Sequence, residues 1–136
     1  MAGYSGTPLA KKLGIKPDWL LYVENGPEDY LQLLEPLPEG VTWVQPLAGK
    51  VNLIHLFTRE EAELAAKLPR FLKRIVEDGI IWVSWPKKAA KITTDVTEDV
   101  IREVALPLGL VDTKVCAVDE VWSGLKLVIR VQNRKR

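Results

Sequence analysis

The sequence predicts an α/β domain in three layers: a mostly parallel sheet of about six strands, covered on both faces by helices and ending in an antiparallel hairpin. Three observations predict it. Apolar runs bounded by turn residues alternate with segments of helical periodicity, the pattern of a sheet buried on both faces. The last two apolar runs are too close together for a crossover and should pair antiparallel. At 136 residues, 47% apolar and 27% charged, the chain has the size and composition of one globular domain. Residues 1–136 are expected to form that domain, with 1–18 as an N-terminal helix and lead-in and 132–136 as a basic tail.

The first helix is short and punctuated. Thr7 is its expected cap, Pro8 fits its first turn, and Gly14 can close it. Lys16-Pro17-Asp18 turns the chain into Trp19-Leu20-Leu21-Tyr22-Val23, which reads as a buried strand. That strand ends at Glu24-Asn25-Gly26-Pro27. A helix is predicted from about Pro27 to Leu34, and Val41-Thr42-Trp43-Val44 is the second strand. Val51 to Phe57 is the third. Thr58 and Glu61 have capping-box spacing and open a helix to roughly Val76, which Pro69 should kink or split. Glu77-Asp78-Gly79 then reads as a turn into the fourth strand, Ile80 to Trp85.

Thr94 or Asp95 should cap the next helix, whose Val100, Ile101, Val104, Ala105 and Leu108 share one face. Pro107 and Gly109 end it. Leu110 to Val118 and Leu125 to Val131 are the closing strands, with a turn around Trp122. One connection is unusual. Gln45 to Lys50 is too short for a crossover helix, yet six extended residues reach roughly 20 Å, the length of a short strand. A bare return that keeps the second strand parallel is preferred over a hairpin that would make it antiparallel.

Composition narrows the function classes. The net charge of +1 gives no overall electrostatic footprint for nucleic acid. The local excess at Arg134-Lys135-Arg136 reads as a frayed terminus. A single cysteine, Cys116, suits a reducing compartment, and alternation in its strand makes it a buried thiol. There is no signal-peptide pattern and no apolar run of membrane-spanning length, so the cytoplasm is expected.

Leu13-Gly14-Ile15-Lys16-Pro17-Asp18 before an apolar strand resembles the lead-in to the first strand of class I methyltransferases. The segment from Leu72 to Ser84 and the closing antiparallel pair are similar to later parts of that fold. Tyr4 to Ile15, Trp82 to Lys88, and Trp122 to Val128 resemble a bacterial family of unknown function. The resemblance implies a Rossmann-like, methyltransferase-type fold and imports no activity. Methyltransferases carry a glycine-rich turn after the first strand, where backbone approaches S-adenosylmethionine. Here that turn is Glu24-Asn25-Gly26-Pro27-Glu28-Asp29, with one glycine and three carboxylates. An acid after the second strand would hold the ribose. Here Val44-Gln45-Pro46 stands there. S-adenosylmethionine therefore enters as a cofactor whose usual motif is absent.

Ligands of open α/β sheets bind beyond the carboxyl ends of the strands. The candidate residues there are Asn25, Gly26 and Glu28 after the first strand, Trp85, Lys87 and Lys88 after the fourth, and Trp122 and Ser123 before the last. In the methyltransferase strand order Trp122 would sit near Trp85 and Lys87. Aromatic rings beside cations suit a planar or anionic ligand. The competing reading has the tryptophans capping the sheet and the lysines solvated. His55, inside an apolar strand, reads as a core histidine satisfied by a neighbour. Asp95 and Glu98 read as helix capping rather than a catalytic pair. One histidine and one cysteine furnish no zinc motif.

Three functions remain. The first is a non-catalytic methyltransferase-like domain that binds a small ligand or a protein partner. The second is a divergent S-adenosylmethionine-dependent methyltransferase. The third and weakest is nucleic-acid contact through Lys87, Lys88, Lys91 and the tail.

Overall fold

The structure is a computed structural model and describes residues 7–134. Tyr4 to Gly6 and the tail residues Lys135 and Arg136 lie outside the described residues. Six strands form one sheet: β1 (Leu20–Glu24), β2 (Thr42–Trp43), β3 (Val51–Phe57), β4 (Ile75–Pro86), β5 (Leu110–Ala117) and β6 (Trp122–Ile129). Their order is β2-β1-β3-β4-β6-β5. The first four run parallel, and β6 lies antiparallel between β4 and β5. The bare return at 45–50 therefore does keep β2 parallel to β1.

Alternation along the strands divides the core. Ile54, Leu56, Ile81, Val83, Leu125 and Leu127 face the layer of α3 (Glu61–Leu72) and α4 (Glu98–Ala105). Leu53, Phe57, Ile80 and Trp82 face the layer of α1 (Leu9–Leu13) and α2 (Tyr30–Leu34). Both faces are covered, as the near-continuous apolar strands require.

Several local expectations are corrected. Pro8, not Thr7, takes the N-cap position of α1, with its carbonyl accepting from the Lys11 and Lys12 amides at 3.1 Å. Gly14 does close this helix, at φ 83°, a left-handed conformation that favours glycine. Thr58 does not cap α3. Asp95 does, from 34 residues further on: its Oδ1 accepts from the Glu61 amide at 2.7 Å. Such a carboxylate satisfies an orphan N–H and complements the helix dipole, an interaction worth about 1 kcal/mol. Thr97 caps α4, accepting from the Val100 amide at 3.2 Å, so neither Thr94 nor Asp95 caps its own helix.

α3 ends at Leu72, and Pro69 sits inside it without splitting it. Ile75 and Val76 belong to β4, which runs through the predicted turn at Glu77-Asp78-Gly79. The register shifts between Val51 and Leu53 absorb this passage. A Cβ on Gly79 would lie 2.6 Å from Ile75 Cγ1 and 2.8 Å from the Asn52 carbonyl oxygen, so the glycine permits close strand contact rather than a turn. The predicted turn at Trp122 is likewise strand. The reversal occurs at Asp119, whose Oδ1 accepts from the Val121 and Trp122 amides at 2.8 and 2.7 Å. After β6, Val131–Asn133 forms a 3-10 turn, and Arg134 Nε donates to the Ile129 carbonyl at 3.0 Å.

Candidate functional site

The carboxyl ends of β1 and β3 open on one cleft of about 480 Å³. Its lining includes Asn25, Thr58, Arg59, Glu60, Glu63 and Trp122. Asn25 reaches it because the turn after β1 takes φ 62°, a left-handed position that asparagine tolerates. Its Nδ2 donates to the Phe57 carbonyl at 3.2 Å and to Glu63 Oε2 at 3.1 Å. The Thr58 hydroxyl donates to the other Glu63 oxygen, and Lys67 Nζ donates to Oε2 at 2.7 Å. Partial burial works to raise the Glu63 pKa. Hydrogen bonds from Lys67, Thr58 and Asn25 outweigh it and hold the carboxyl below its usual range. Glu63 is thus an ionised organiser of the cleft floor. Arg59 and Glu60 stand exposed at the rim.

The loop after β4 closes one side. Thr94 Oγ1 donates to the Arg59 carbonyl at 2.7 Å, and Asp95 holds the start of α3, which fixes Ile92 against the cleft. Trp122 packs edge-on to Phe57, with centroids 5.1 Å apart, and supplies an aromatic wall.

The three predicted groups do not form one site. Trp85 and Trp122 belong to neighbouring strands, with Trp85 opposite Ser123 and Pro86 opposite Trp122. Alternation sends Trp85 toward α4 and Trp122 toward the opposite layer. The expected pairing of the two rings is therefore broken by the sheet itself. Trp85, Lys87 and Lys88 line a separate cleft of about 480 Å³ with Val96 and Thr97. Ser123 sits within β6, between Trp85 and Ala117. The Lys87 amide donates to the Val121 carbonyl at 2.8 Å.

Gly26 and Glu28 line a third cleft, of about 270 Å³, with Tyr30, Leu31, Trp43 and Gln45. A Cβ on Gly26 would lie 3.0 Å from Val23 Cγ2 and 3.5 Å from Tyr30 Cγ. A side chain at this position would press on Val23 and Tyr30 beneath α2. The three carboxylates of the turn also separate. Glu24 accepts from the Tyr22 hydroxyl at 2.7 Å and pairs with Lys67 and Arg70. Partial burial opposes its ionisation, but Lys67 and Tyr22 hold it below the usual carboxylate range. Glu28 faces the third cleft, and Asp29 takes the N-cap position of α2.

His55 is fully buried, and both ring nitrogens are satisfied. Nδ1 lies 2.7 Å from the Tyr30 hydroxyl and Nε2 lies 2.7 Å from Ser84 Oγ. The ring stacks on Phe57 at 4.2 Å. Burial alone pulls its pKa down to about 3, so the imidazole is neutral, and burial pushes the Tyr30 phenol up. This chain of hydrogen bonds joins α2, β3 and β4 beneath the clefts. Among the described residues no group of three or more His, Cys, Asp or Glu could hold a metal ion.

Sequence reasoning missed Thr58, Arg59, Glu60 and Glu63. Their signal was position: they follow the carboxyl end of β3, where ligands of this architecture bind. The capping-box spacing of Thr58 and Glu61 masks this position in the sequence.

The fold is similar to solved methyltransferase structures. A SAM-dependent methyltransferase from Aquifex aeolicus matches 89% of this chain and 87% of its own at 16% identity and a TM-score of 0.59. A magnesium protoporphyrin IX methyltransferase from Synechocystis matches 88% of this chain and 74% of its own at 12% identity and TM-score 0.57. An O-methyltransferase from neocarzinostatin biosynthesis matches 94% of this chain at 15% identity and TM-score 0.61. The chain spans about half of that enzyme's length, 51%. At such identities the likeness carries the fold alone. Among the described residues no helix is long and apolar enough to cross a membrane. No curated protein matches the chain. A family model does match, over residues 46–131, well over half the sequence: the chain belongs to the family described as protein of unknown function (DUF3052).

Proposed function

We propose that this protein is a non-catalytic methyltransferase-like domain of a reducing, cytoplasmic compartment, and that it binds a small zwitterion at the carboxyl end of its sheet. The observation that carries this reading is the cleft over Asn25 and Glu63. It offers one exposed charge of each sign, Arg59 and Glu60, beside the ring of Trp122. Opposite charges flanking an aromatic wall suit a ligand with an ammonium, a carboxylate and an apolar part. The place of a nucleoside cofactor is less well provided. Gly26 serves packing, and Gln45 stands where an acid would hold a ribose.

The reading is tested by following backbone amide and indole resonances while free amino acids are added, L-tryptophan and L-methionine among them. Shifts are expected at Asn25, Thr58 and the Trp122 indole, and Trp122→Ala should weaken the response about tenfold or more. Shifts that scatter over the surface, or that survive Trp122→Ala, would sink it.

A divergent S-adenosylmethionine-dependent methyltransferase is the second reading. One observation favours it: the cleft of about 270 Å³ between Gly26, Trp43 and Gln45 lies between the ends of β1 and β2, where that cofactor's nucleoside would belong. Cofactor affinity separates the two readings.

A further inference from the structure

Simple alternation in β5 would turn Lys114 to the same side as Asp112, toward α4. Asp112 does point there, and accepts from Arg102 Nε at 2.9 Å. Between Asp112 and Lys114 the register shifts by a bulge. Bulges re-aim the side chains that follow them. Cys116 accordingly packs against the core of the α1 and α2 layer, and Lys114 Nζ reaches the Lys12 carbonyl of α1 at 3.2 Å.

That turn creates an opposition. Lys114 now stands directly across from Lys126, and like charges in that relation destabilise a sheet. On its other side Lys126 neighbours Trp82, which brings no charge. Lys16 follows the end of α1. Partial burial, then the Lys114 and Lys16 cations, hold Lys126 below the usual lysine range. Among the described residues the ion pairs gather elsewhere, around Glu24 and Arg102, and none involves Lys16, Lys114 or Lys126. The bulge thus brings together cations that no ion pair among the described residues neutralises.

We propose that the surface of Lys114 and Lys126 binds a phosphoryl group carrying more than one negative charge, as in a phosphate monoester or a diphosphate. Charge density selects this ligand. A carboxylate brings one charge and a phosphodiester one per phosphate, whereas a monoester brings nearly two. Lysines suit it as adaptable point charges around phosphate oxygens, without the planar fork that arginine offers a carboxylate.

The test is calorimetric titration of the full chain with inorganic pyrophosphate at low ionic strength, and with glycerol phosphate as the monoester. Saturable binding is expected, weakened about tenfold or more by Lys114→Gln with Lys126→Gln. The exposed pair Lys50→Gln and Lys73→Gln should leave it unchanged. The urea midpoint of the Lys114/Lys126 variant should stay near wild type, since relieved repulsion offsets the lost Lys12 contact, so lost binding would not reflect unfolding. Absence of heat overturns the proposal, as does equal weakening by both pairs, which would mean diffuse attraction. A single-stranded oligonucleotide that binds through these lysines and resists displacement by pyrophosphate would also overturn it.

Discussion

Between about pH 7.5 and pH 5 the protein is expected to lose roughly 2 kcal/mol of stability through one side chain, His55. Its imidazole is neutral in the fold, with a pKa near 3 against 6.5 in an unfolded chain. Between those values the unfolded chain binds a proton that the native state does not. Stability therefore falls as the pH drops below 6.5, by about 1.4 kcal/mol per unit. The lowered carboxyls, Glu24 and Glu63, stabilise in the other window. Their contribution is lost only as the pH falls below their unfolded value of 4.5, so the range above about pH 5 reports on the histidine.

His55→Leu should remove that slope. It should also strand the Tyr30 and Ser84 hydroxyls in an apolar interior, at about 1–3 kcal/mol each. Replacing all three, with Tyr30→Phe and Ser84→Ala, should recover much of the loss, because a matched apolar set leaves no orphan. Urea denaturation of each variant at several pH values checks both points. A wild-type midpoint that stays flat across this range would mean that the imidazole is not held dry and neutral.

Trp82→Ala is the second large effect. Trp82 is fully buried at the centre of the sheet, and its Nε1 donates to the Leu13 carbonyl at 2.9 Å, anchoring α1. Its ring lies so close to β6 that a Cβ on Gly124 would sit 3.1 Å from Cε3. Loss of the side chain should cost about 3–5 kcal/mol, from transfer, cavity and the broken hydrogen bond together. Trp82→Phe keeps most of the packing and should cost about 1–2 kcal/mol. The difference between their urea midpoints measures how much of the anchor is packing. A Trp82→Ala protein with a midpoint near wild type would contradict the layer arrangement.

The sequence displayed the layers more clearly than the contacts between them. Apolar runs at Leu20, Val51 and Ile80 were legible as buried strands because both faces of the sheet are covered. Chain reach allowed a parallel β2 without excluding the hairpin, and the β1–β2 register decides for the parallel strand. Features that depend on distant partners were not legible. Asp95 caps a helix 34 residues earlier, and nothing near it in sequence marks that role. His55 bonds residues 25 and 29 positions away, so its burial was readable while its partners were not. Gly79 misled because a glycine after two acids signals a turn, whereas here it admits a neighbouring strand.

The candidate site divides in the same way. Its location at the carboxyl ends of the strands was readable from topology. Its membership was not. Trp85 and Trp122 were near in the predicted strand order, but a one-residue offset across β4 and β6 sends their rings to opposite faces. Glu63 lies on α3, and only the folded structure shows that Asn25, Thr58 and Lys67 converge on it.

We propose that this member of the family keeps a methyltransferase-like scaffold without its nucleoside cofactor. Calorimetric titration with S-adenosylmethionine and S-adenosylhomocysteine tests it most directly. The expected result is binding no tighter than that of a free amino acid, and indifferent to Leu31→Glu in the cleft beside Gly26 and Gln45. Binding of about micromolar strength that Leu31→Glu abolishes would contradict it and make the cleft at Gly26 a working cofactor site.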